Sequence, residues 1–134
     1  MARPESKFYK DLKKITPSIC WTRLENWAEF GTPDLLGYTP NRHFFTVELK
    51  VTLSNKVALS PHQVSWHVRH PSGSFVLVAC INKKKEKKII SLYPGSEILN
   101  LVRLGLNHEP LVRGSLDACA CYLEKYEPAP VPVV

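Results

Sequence analysis

The strongest constraint on the fold of this chain is a strand pattern, a sharply bounded helix pattern and a second strand pattern in immediate succession. Polar and apolar residues alternate over 44–52, which predicts a strand with one face in the core and one face carrying polar groups. A capping box, S-x-x-Q, begins at Ser60 and predicts a helix over 61–70 that ends before a proline. The apolar run 75–81 predicts a buried strand. A β-helix-β crossover of this kind places its two strands parallel.

Shorter patterns precede this unit. Apolar residues at helical spacing over 5–15 predict an amphipathic first helix, which Pro17 ends. Segments 19–25 and 34–38 predict two strands, and the turn residues that follow them predict antiparallel hairpins. The chain is therefore expected to begin with one helix and three strands.

Further signals follow the crossover. The lysine-rich run 83–88 predicts a hairpin tip that leads into a strand over 89–93. Ser96 and Ser115 are expected to cap two C-terminal helices, the first of which ends near Leu106. We therefore predict an α/β fold with a mixed central β-sheet flanked by helices, in the order αβββαββ plus C-terminal helices.

Size and charge narrow the class of protein. The 134 residues suffice for one core, so we assign 1–127 to a single domain and the proline-rich 128–134 to a tail. Eighteen Lys and Arg against twelve acidic residues give a net charge of +6, which suits a polyanionic partner. No apolar stretch is long enough to cross a membrane, and the charged start is unlike a secretory signal. We expect a cytoplasmic protein with no membrane partner.

Cysteine and histidine patterns do not indicate a zinc site. The four cysteines lack paired spacing, so we expect buried, reduced thiols, with Cys119 and Cys121 in and near the core. The histidines of the crossover helix, at 62, 67 and 70, include no pair at i, i+4. Phosphate contact or solvent exposure is the better expectation for them.

Two acidic groups and one amine are expected to meet at one place. Alternation along strand 44–52 brings Glu48 and Lys50 out on one face, and the preceding hairpin can bring Asp34 beside Glu48. Mg²⁺ binds carboxylates together with water and phosphate oxygens, and the Leu49 carbonyl can add a further oxygen. Such an ion lowers the pKa of water and neutralises charge on a phosphate, while Lys50 orients the attacking water. This set of groups suits phosphodiester hydrolysis.

A second hypothesis accounts for the same residues without catalysis. Glu48 and Lys50 can form a solvated strand face, and Asp34 can be a turn residue. The protein is then a basic nucleic-acid-binding accessory protein with an inactive or incidental site.

Three segments carry a more specific combination. They are Gly31-Thr32-Pro33-Asp34-Leu35, Val47-Glu48-Leu49-Lys50 and Leu59-Ser60-Pro61-His62-Gln63-Val64-Ser65-Trp66. In order and spacing they resemble the PD-(D/E)XK nuclease superfamily, and in particular its virus-type replication-repair nuclease branch (VRR-NUC) in a phage-like stand-alone form. The resemblance spans about 21–78 and implies a restriction-endonuclease-like core.

The resemblance also implies an activity and its residues. It is that of a metal-dependent DNA endonuclease in which Asp34 and Glu48 bind Mg²⁺, with Mn²⁺ as a substitute. Lys50 acts on the water, and Gln63 reaches the site from the crossover helix. It further implies a homodimer that acts on branched or junction DNA in viral replication, recombination or repair, without an organic cofactor.

Two assignments stay open at this level. Gln63 can reach the phosphate, or its amide can turn back to the backbone of Ser60 and close the capping box. The family commonly uses an acidic residue upstream of the first motif, for which the sequence offers Glu25, Glu29 and Glu5. We favour Glu25 as a metal ligand, because Glu5 would require the first helix to pack with its charged end over the site.

Two basic patches are candidate DNA contacts. The lysines of the first helix and those of the run 83–88 are expected to form separate surfaces, which would suit a branched or bent duplex. Ordinary solvated surface charge is the alternative. Trp66 is expected to anchor the crossover helix on the sheet.

Overall fold

A computed structural model describes residues 4–24, 31–82 and 84–130. The helices and strands, in chain order, are α1 (Pro4–Ile15), β1 (Cys20–Arg23), β2 (Leu35–Tyr38), β3 (Phe44–Thr52), α2 (Pro61–Arg69), β4 (Ser74–Asn82), β5 (Lys87–Pro94), α3 (Ile98–Leu104), β6 (Val112–Gly114) and α4 (Leu116–Glu124). Short 3₁₀ turns at Gly95–Glu97 and Gly105–Asn107 flank α3.

The strands form one mixed sheet in the order β1-β2-β3-β4-β5-β6. All neighbouring pairs are antiparallel except β3 and β4, which are parallel and are joined by α2. The predicted antiparallel hairpins, the crossover and the α/β fold class in the order αβββαββ are therefore confirmed.

The core has one layer on each face of the sheet, because side chains alternate along every strand. Phe75, Leu77 and Ala79 of β4 pack in the layer that contains α1 and α4. Val76 and Val78 of the same strand face the layer that contains α3, with the start of α2 beside it. Both faces of β4 are buried, as its continuous apolar sequence predicts.

The first C-terminal helix does not begin where the sequence predicts. Ser96 does not cap it; Ser96 lies inside a 3₁₀ turn, and Glu97 is the residue that precedes α3. A Cβ added to Gly95 would lie 2.0 Å from the Ser74 hydroxyl, so a close contact with β4 starts the turn one residue early. The helix ends at Leu104 rather than near Leu106, because Gly105 adopts a φ of +59°.

The structure adds a sixth strand that sequence patterns do not reveal. β6 has only three residues, too few for a visible alternation, and pairs with β5. The guanidinium of Arg113 holds it in place by donating hydrogen bonds to the Ser91 hydroxyl, the Tyr93 hydroxyl and the Leu106 carbonyl at 2.7–2.9 Å. The strand also leads into α4, which Ser115 caps as predicted.

The prediction of free thiols is right for all four cysteines, but the prediction of burial is right for Cys119 only. All four cysteines are free thiols. Cys119 is buried, whereas Cys80 is half-buried and Cys20 and Cys121 are exposed. α4 packs through the stripe that contains Cys119, and Cys121 lies two residues, about 200°, around the helix from it.

The two basic patches are not separate. Lys88 of the β4–β5 hairpin places its Nζ 5.3 Å from the centre of the Phe8 ring and 3.9 Å from the Asp11 carboxylate, both on α1. The expected separation is therefore wrong: β5 lies beside α1 and the lysines of the two elements adjoin.

None of the described helices is both long and apolar enough to cross a membrane.

Candidate active site

Three strands bring Asp34 and Glu48 together. Asp34 directly precedes β2, and its backbone carbonyl accepts a hydrogen bond from the amide of Leu24 at 2.9 Å, which extends the β1–β2 ladder. Its side chain turns towards β3, where Oδ2 accepts a hydrogen bond from the Leu49 amide at 2.8 Å. Glu48 is the residue before that amide, and its carboxyl group interacts directly with that of Asp34.

Five of the six residues that the sequence places in one site line a single cleft of about 260 Å³, and the sixth, Glu25, lies outside the described residues. The five are Asp34, Glu48, Leu49, Lys50 and Gln63. Alternation along β3 puts Leu49 into the core on one side of the sheet, while Glu48 and Lys50 point towards α2 on the other. Glu48 is only 2% exposed, so it is not a solvated strand residue.

Gln63 contacts both charged residues of β3. Its Nε2 donates a hydrogen bond to Glu48 Oε1, and its Oε1 accepts one from Lys50 Nζ at 3.1 Å. Lys50 Nζ also lies 3.8 Å from Glu48 Oε1, so the three side chains form a closed network. The carboxamide has one orientation in this network, because its oxygen faces an ammonium and its nitrogen faces a carboxylate.

The capping box that the sequence predicts is also present. The Ser60 hydroxyl accepts a hydrogen bond from the backbone amide of Gln63 at 3.2 Å. The backbone amide of Ser60 donates one to the side-chain oxygen Oε1 of Gln63 at 2.9 Å. The two alternatives for Gln63 are therefore not exclusive. One side chain closes the first turn of α2 and faces the cleft.

Burial dominates the electrostatics of the two carboxyl groups. Burial, and after it the neighbouring Asp34 carboxylate, raises the pKa of Glu48 to about 8, against an opposing effect of Lys50. Burial also raises the pKa of Asp34, although the Leu49 amide, Lys50 and Arg23 lower it. Two negative charges in a poorly solvated cleft repel each other. Binding of either a proton or a cation therefore stabilises the pair of carboxylates.

The donor set fits a hard divalent cation. Glu48 Oε2 is buried and receives no hydrogen bond within the described part of the chain. No group of three or more His, Cys, Asp or Glu side chains suited to a metal occurs in residues 4–24, 31–82 and 84–130. Two carboxylates with remaining positions for backbone, water or phosphate oxygens is the arrangement in which Mg²⁺ commonly binds, whereas a closed zinc site needs more side chains.

α1 and β1 contribute side chains to the cleft that the motifs do not include. Glu5, Ser6 and Tyr9 of α1 and Arg23 of β1 all line it. The Arg23 guanidinium lies over the Tyr9 ring, 5.4 Å from its centre. Helical spacing could have found this flank, since Glu5 and Tyr9 are four residues apart beside the buried stripe of Phe8 and Leu12.

The upstream acid favoured from the sequence is not in the described part of the chain. Glu25 lies outside the described residues, as does Glu29. Glu5, in contrast, lines the cleft. The N-terminal end of α1 packs over the site, which is the arrangement that a role for Glu5 requires.

Trp66 does not anchor α2 in the core. Neither hydrophobic cluster of the described residues includes it. The ring is half-buried and stacks on the exposed His70 with 4.1 Å between ring centres.

His67 takes the inward position instead: it is fully buried, its Nδ1 lies 2.9 Å from the Gln63 carbonyl, and burial lowers its pKa. The expectation of exposure therefore holds for His62 and His70 and is wrong for His67.

Neither a protein-family model nor a curated protein matches the sequence. Among solved structures, the chain is similar to Hjc, a Holliday junction resolvase from the archaeal hyperthermophile Archaeoglobus fulgidus. The match has a TM-score of 0.42 and 18% sequence identity, and it covers 69% of this chain and 74% of that one. A likeness of this degree assigns neither a family nor an activity to the chain.

The raised pKa of Glu48 predicts a pH-dependent stability in the absence of metal. The group binds its proton more tightly in the folded state, with a pKa of about 8 against 4.5 for an ordinary glutamate. The free energy of unfolding should therefore fall as pH rises from about 4.5 to 8, by on the order of 5 kcal/mol. Glu48→Gln cannot ionise and should lose most of this decline, keeping only the part that Asp34 causes.

Urea unfolding in chelator from pH 5 to 9 measures the difference. Asp117→Asn, an acid-to-amide change at an exposed position in the first turn of α4, is the matched control and should follow the wild-type curve. Parallel curves for wild type and Glu48→Gln would contradict the assigned burial cost.

Proposed function

We propose that this protein is a divalent-metal-dependent endonuclease that hydrolyses DNA phosphodiester bonds. The observation that carries the proposal is the meeting of Asp34 and Glu48 in one cleft, with the Lys50 ammonium and the Gln63 amide beside them. Raised pKa values of two interacting carboxyl groups in a cleft are typical of a functional site rather than of a folding contact.

Asp34 and Glu48 would hold the metal, with the Leu49 carbonyl as a third oxygen. We expect Mg²⁺, with Mn²⁺ as a substitute, because all these donors are hard oxygens. A bound ion supplies positive charge for the phosphate and makes a water molecule easier to ionise. The orphaned Glu48 Oε2 and the proximity of the two carboxyl groups support this assignment.

Lys50 and Gln63 would organise the rest of the reaction centre. Lys50 is 23% exposed and points into the cleft, where its ammonium can orient the attacking water and stabilise charge that develops on the phosphate. Gln63 fixes the ammonium by accepting its hydrogen bond and fixes Glu48 by donating one. Both side chains therefore reach the phosphate in one defined arrangement.

An acid upstream of the first motif would complete the site. The sequence favours Glu25, which lies outside the described residues. The position of Glu5 on the wall of the cleft favours Glu5 instead.

The sequence resemblance supports finer proposals for the biology of the protein. They are membership of the VRR-NUC branch, selectivity for branched or junction DNA, a viral or repair role in the cytoplasm, and no organic cofactor. A homodimer is part of the same proposal, and α3 offers a surface for it, since Leu99 is 63% and Val102 46% exposed. The net charge of +6 supports a DNA partner.

A metal-dependent activity predicts a specific set of inactive variants. We expect the protein to cleave a labelled panel of branched, single-stranded and linear DNA with Mg²⁺ or Mn²⁺ and not with chelator. Asp34→Asn, Glu48→Gln and Lys50→Ala should each lower the rate at least about 100-fold, because each removes charge at the reacting phosphate.

Asp117→Asn should cleave like wild type in the same panel. Activity that persists in chelator would contradict the metal mechanism. DNA binding without turnover by the wild type would instead support the accessory-protein hypothesis.

The double role of Gln63 can be separated by a pair of variants. Ser60→Ala removes the side-chain cap, whereas Gln63→Ala removes the other half of the box together with the contacts to Glu48 and Lys50. Both should lose about 1 kcal/mol of stability. Only Gln63→Ala should also lower the cleavage rate, by about 10-fold or more.

Thermal unfolding and cleavage rates on one substrate measure both effects. Equal rates for the two variants would show that Gln63 acts on stability alone.

The upstream acid can be identified from the metal requirement. A third carboxylate near the cation strengthens its binding, so removing it should raise the metal concentration needed for half-maximal cleavage by about 5-fold or more. We expect this for Glu5→Gln and not for Glu25→Gln. The reverse result would assign the role to Glu25, and no change in either variant would leave a site of two carboxylates.

A further inference from the structure

Eight exposed lysines form what we call the α1–hairpin surface. They are Lys7, Lys10, Lys13 and Lys14 of α1, and Lys84, Lys85, Lys87 and Lys88 of the β4–β5 hairpin. Within these two stretches only Glu5, Asp11 and Glu86 are acidic, and Glu5 lines the cleft. The surface therefore carries most of the net positive charge of the chain.

Lys88 joins the two halves of this surface. Its side chain crosses Phe8 and reaches Asp11, which lie on the flank of α1 that faces β5. The opposite flank carries Glu5 and Tyr9, which line the cleft. Lys7, Lys10 and Lys14 follow a spacing of i, i+3, i+7 and so lie on the outer face of α1 between these flanks. A ligand on that outer face is in reach of both the cleft and the hairpin.

The hairpin also lies at the same end of the sheet as the cleft. β3 and β4 are parallel, and Lys50 pairs in register with Val78. β4 ends at Asn82, four residues beyond that point, which is about 13 Å along the strand. α1, with twelve residues, is about 18 Å long. The basic surface thus extends from the cleft over a distance of several DNA base pairs.

We propose that the α1–hairpin surface binds the sugar-phosphate backbone of a double-stranded arm of the DNA substrate, next to the cleft. This inference rests on the proposed function, because it places a part of the substrate beside the reaction centre. Lysine is a compact point charge that suits phosphate oxygens, so the surface reads no base sequence.

The side chains on this surface favour a duplex over a single strand. Single-strand binding sites combine positive charge with aromatic rings on which bases stack. The aromatic residues of α1 do not offer such rings: Phe8 is buried beneath Lys88, and Tyr9 faces the cleft under Arg23. The lysines of α1 and of the hairpin lie on two adjacent elements rather than in a single row.

A charge-matched pair of triple variants tests the surface. The test variant carries Lys10→Gln, Lys14→Gln and Lys85→Gln. The control variant carries Lys56→Gln, Arg103→Gln and Lys125→Gln, which are exposed residues outside the surface. Both variants lose the same net charge, and Arg103 matches Lys14 because each lies in the last turn of its helix.

Binding is measured by fluorescence anisotropy in chelator, without cleavage, on a duplex of about 20 base pairs and on one of its strands, between about 50 and 200 mM salt. For the duplex, the slope of log K against log salt should decrease in magnitude by about 2–3 in the test variant. Its affinity at the lower salt concentration should fall about 10-fold or more below that of the control variant. The control should stay close to wild type.

Equal duplex binding by the two triple variants would overturn the proposal, as would a loss confined to the single strand. Both outcomes are independent of catalysis. Wild-type protein that binds the duplex through these lysines and fails to cleave with metal would refute the nuclease assignment alone. If the wild-type protein cleaves DNA but these lysines do not contribute to binding, only the proposal for the α1–hairpin surface is refuted.

Discussion

Two carboxyl groups held side by side where water solvates them poorly are the constraint around which this end of the sheet is built. Burial disfavours the charged form of Glu48, and the Asp34 carboxylate disfavours it further. Three groups offset this cost: the Lys50 ammonium supplies a positive charge, and the Leu49 backbone amide and the Gln63 carboxamide donate hydrogen bonds. They come from β3 and α2, so the arrangement exists only after the crossover has packed. A hydrophobic side chain at position 48 would serve stability better, which makes a functional origin of this glutamate the simpler explanation.

The first turn of α2 is part of the same arrangement. An N-cap interaction is ordinarily local and affects only where a helix begins. In this protein the capping carboxamide is also the hydrogen-bond partner of Glu48 and Lys50, and its oxygen accepts from the Ser60 amide and the Lys50 ammonium together. The helix start and the polar groups of β3 therefore hold each other in register. Movement of α2 along the sheet would break both at once.

The parts of this structure that sequence predicts are those with a local physical signal. Alternation over 44–52 predicted β3, the capping box predicted the start of α2, and continuous apolar sequence predicted β4. Asp34, Glu48 and Lys50 can be placed at one point because strand alternation and one hairpin relate them, whereas Gln63 is expected there only from the family resemblance.

The remaining features depend on contacts between distant segments. The packing of Gly95 on Ser74 moves the start of α3, and nothing near Ser96 indicates it. The presence of Glu5 in the cleft depends on the angle at which α1 crosses the sheet, and the union of the two basic patches depends on one contact of Lys88. Trp66 shows the converse: a large aromatic residue on a crossover helix is usually an anchor, but His67 occupies the inward position here.

Charges of opposite sign occupy adjacent regions of the molecule, and their order in space has a chemical consequence. The outer lysines attract a polyanion at long range, whereas the carboxyl pair in the cleft repels a phosphate at short range. A phosphate can therefore approach Lys50 closely only when the negative charge of the pair is neutralised by a proton or by a cation. Protonated Glu48 carries no negative charge with which to bind a cation. Glu48 is therefore neutralised either by a proton or by a cation, and not by both. Under the proposed function, the same burial that raises the pKa of Glu48 would limit the pH range in which a phosphate of DNA held by the outer lysines can also enter the cleft.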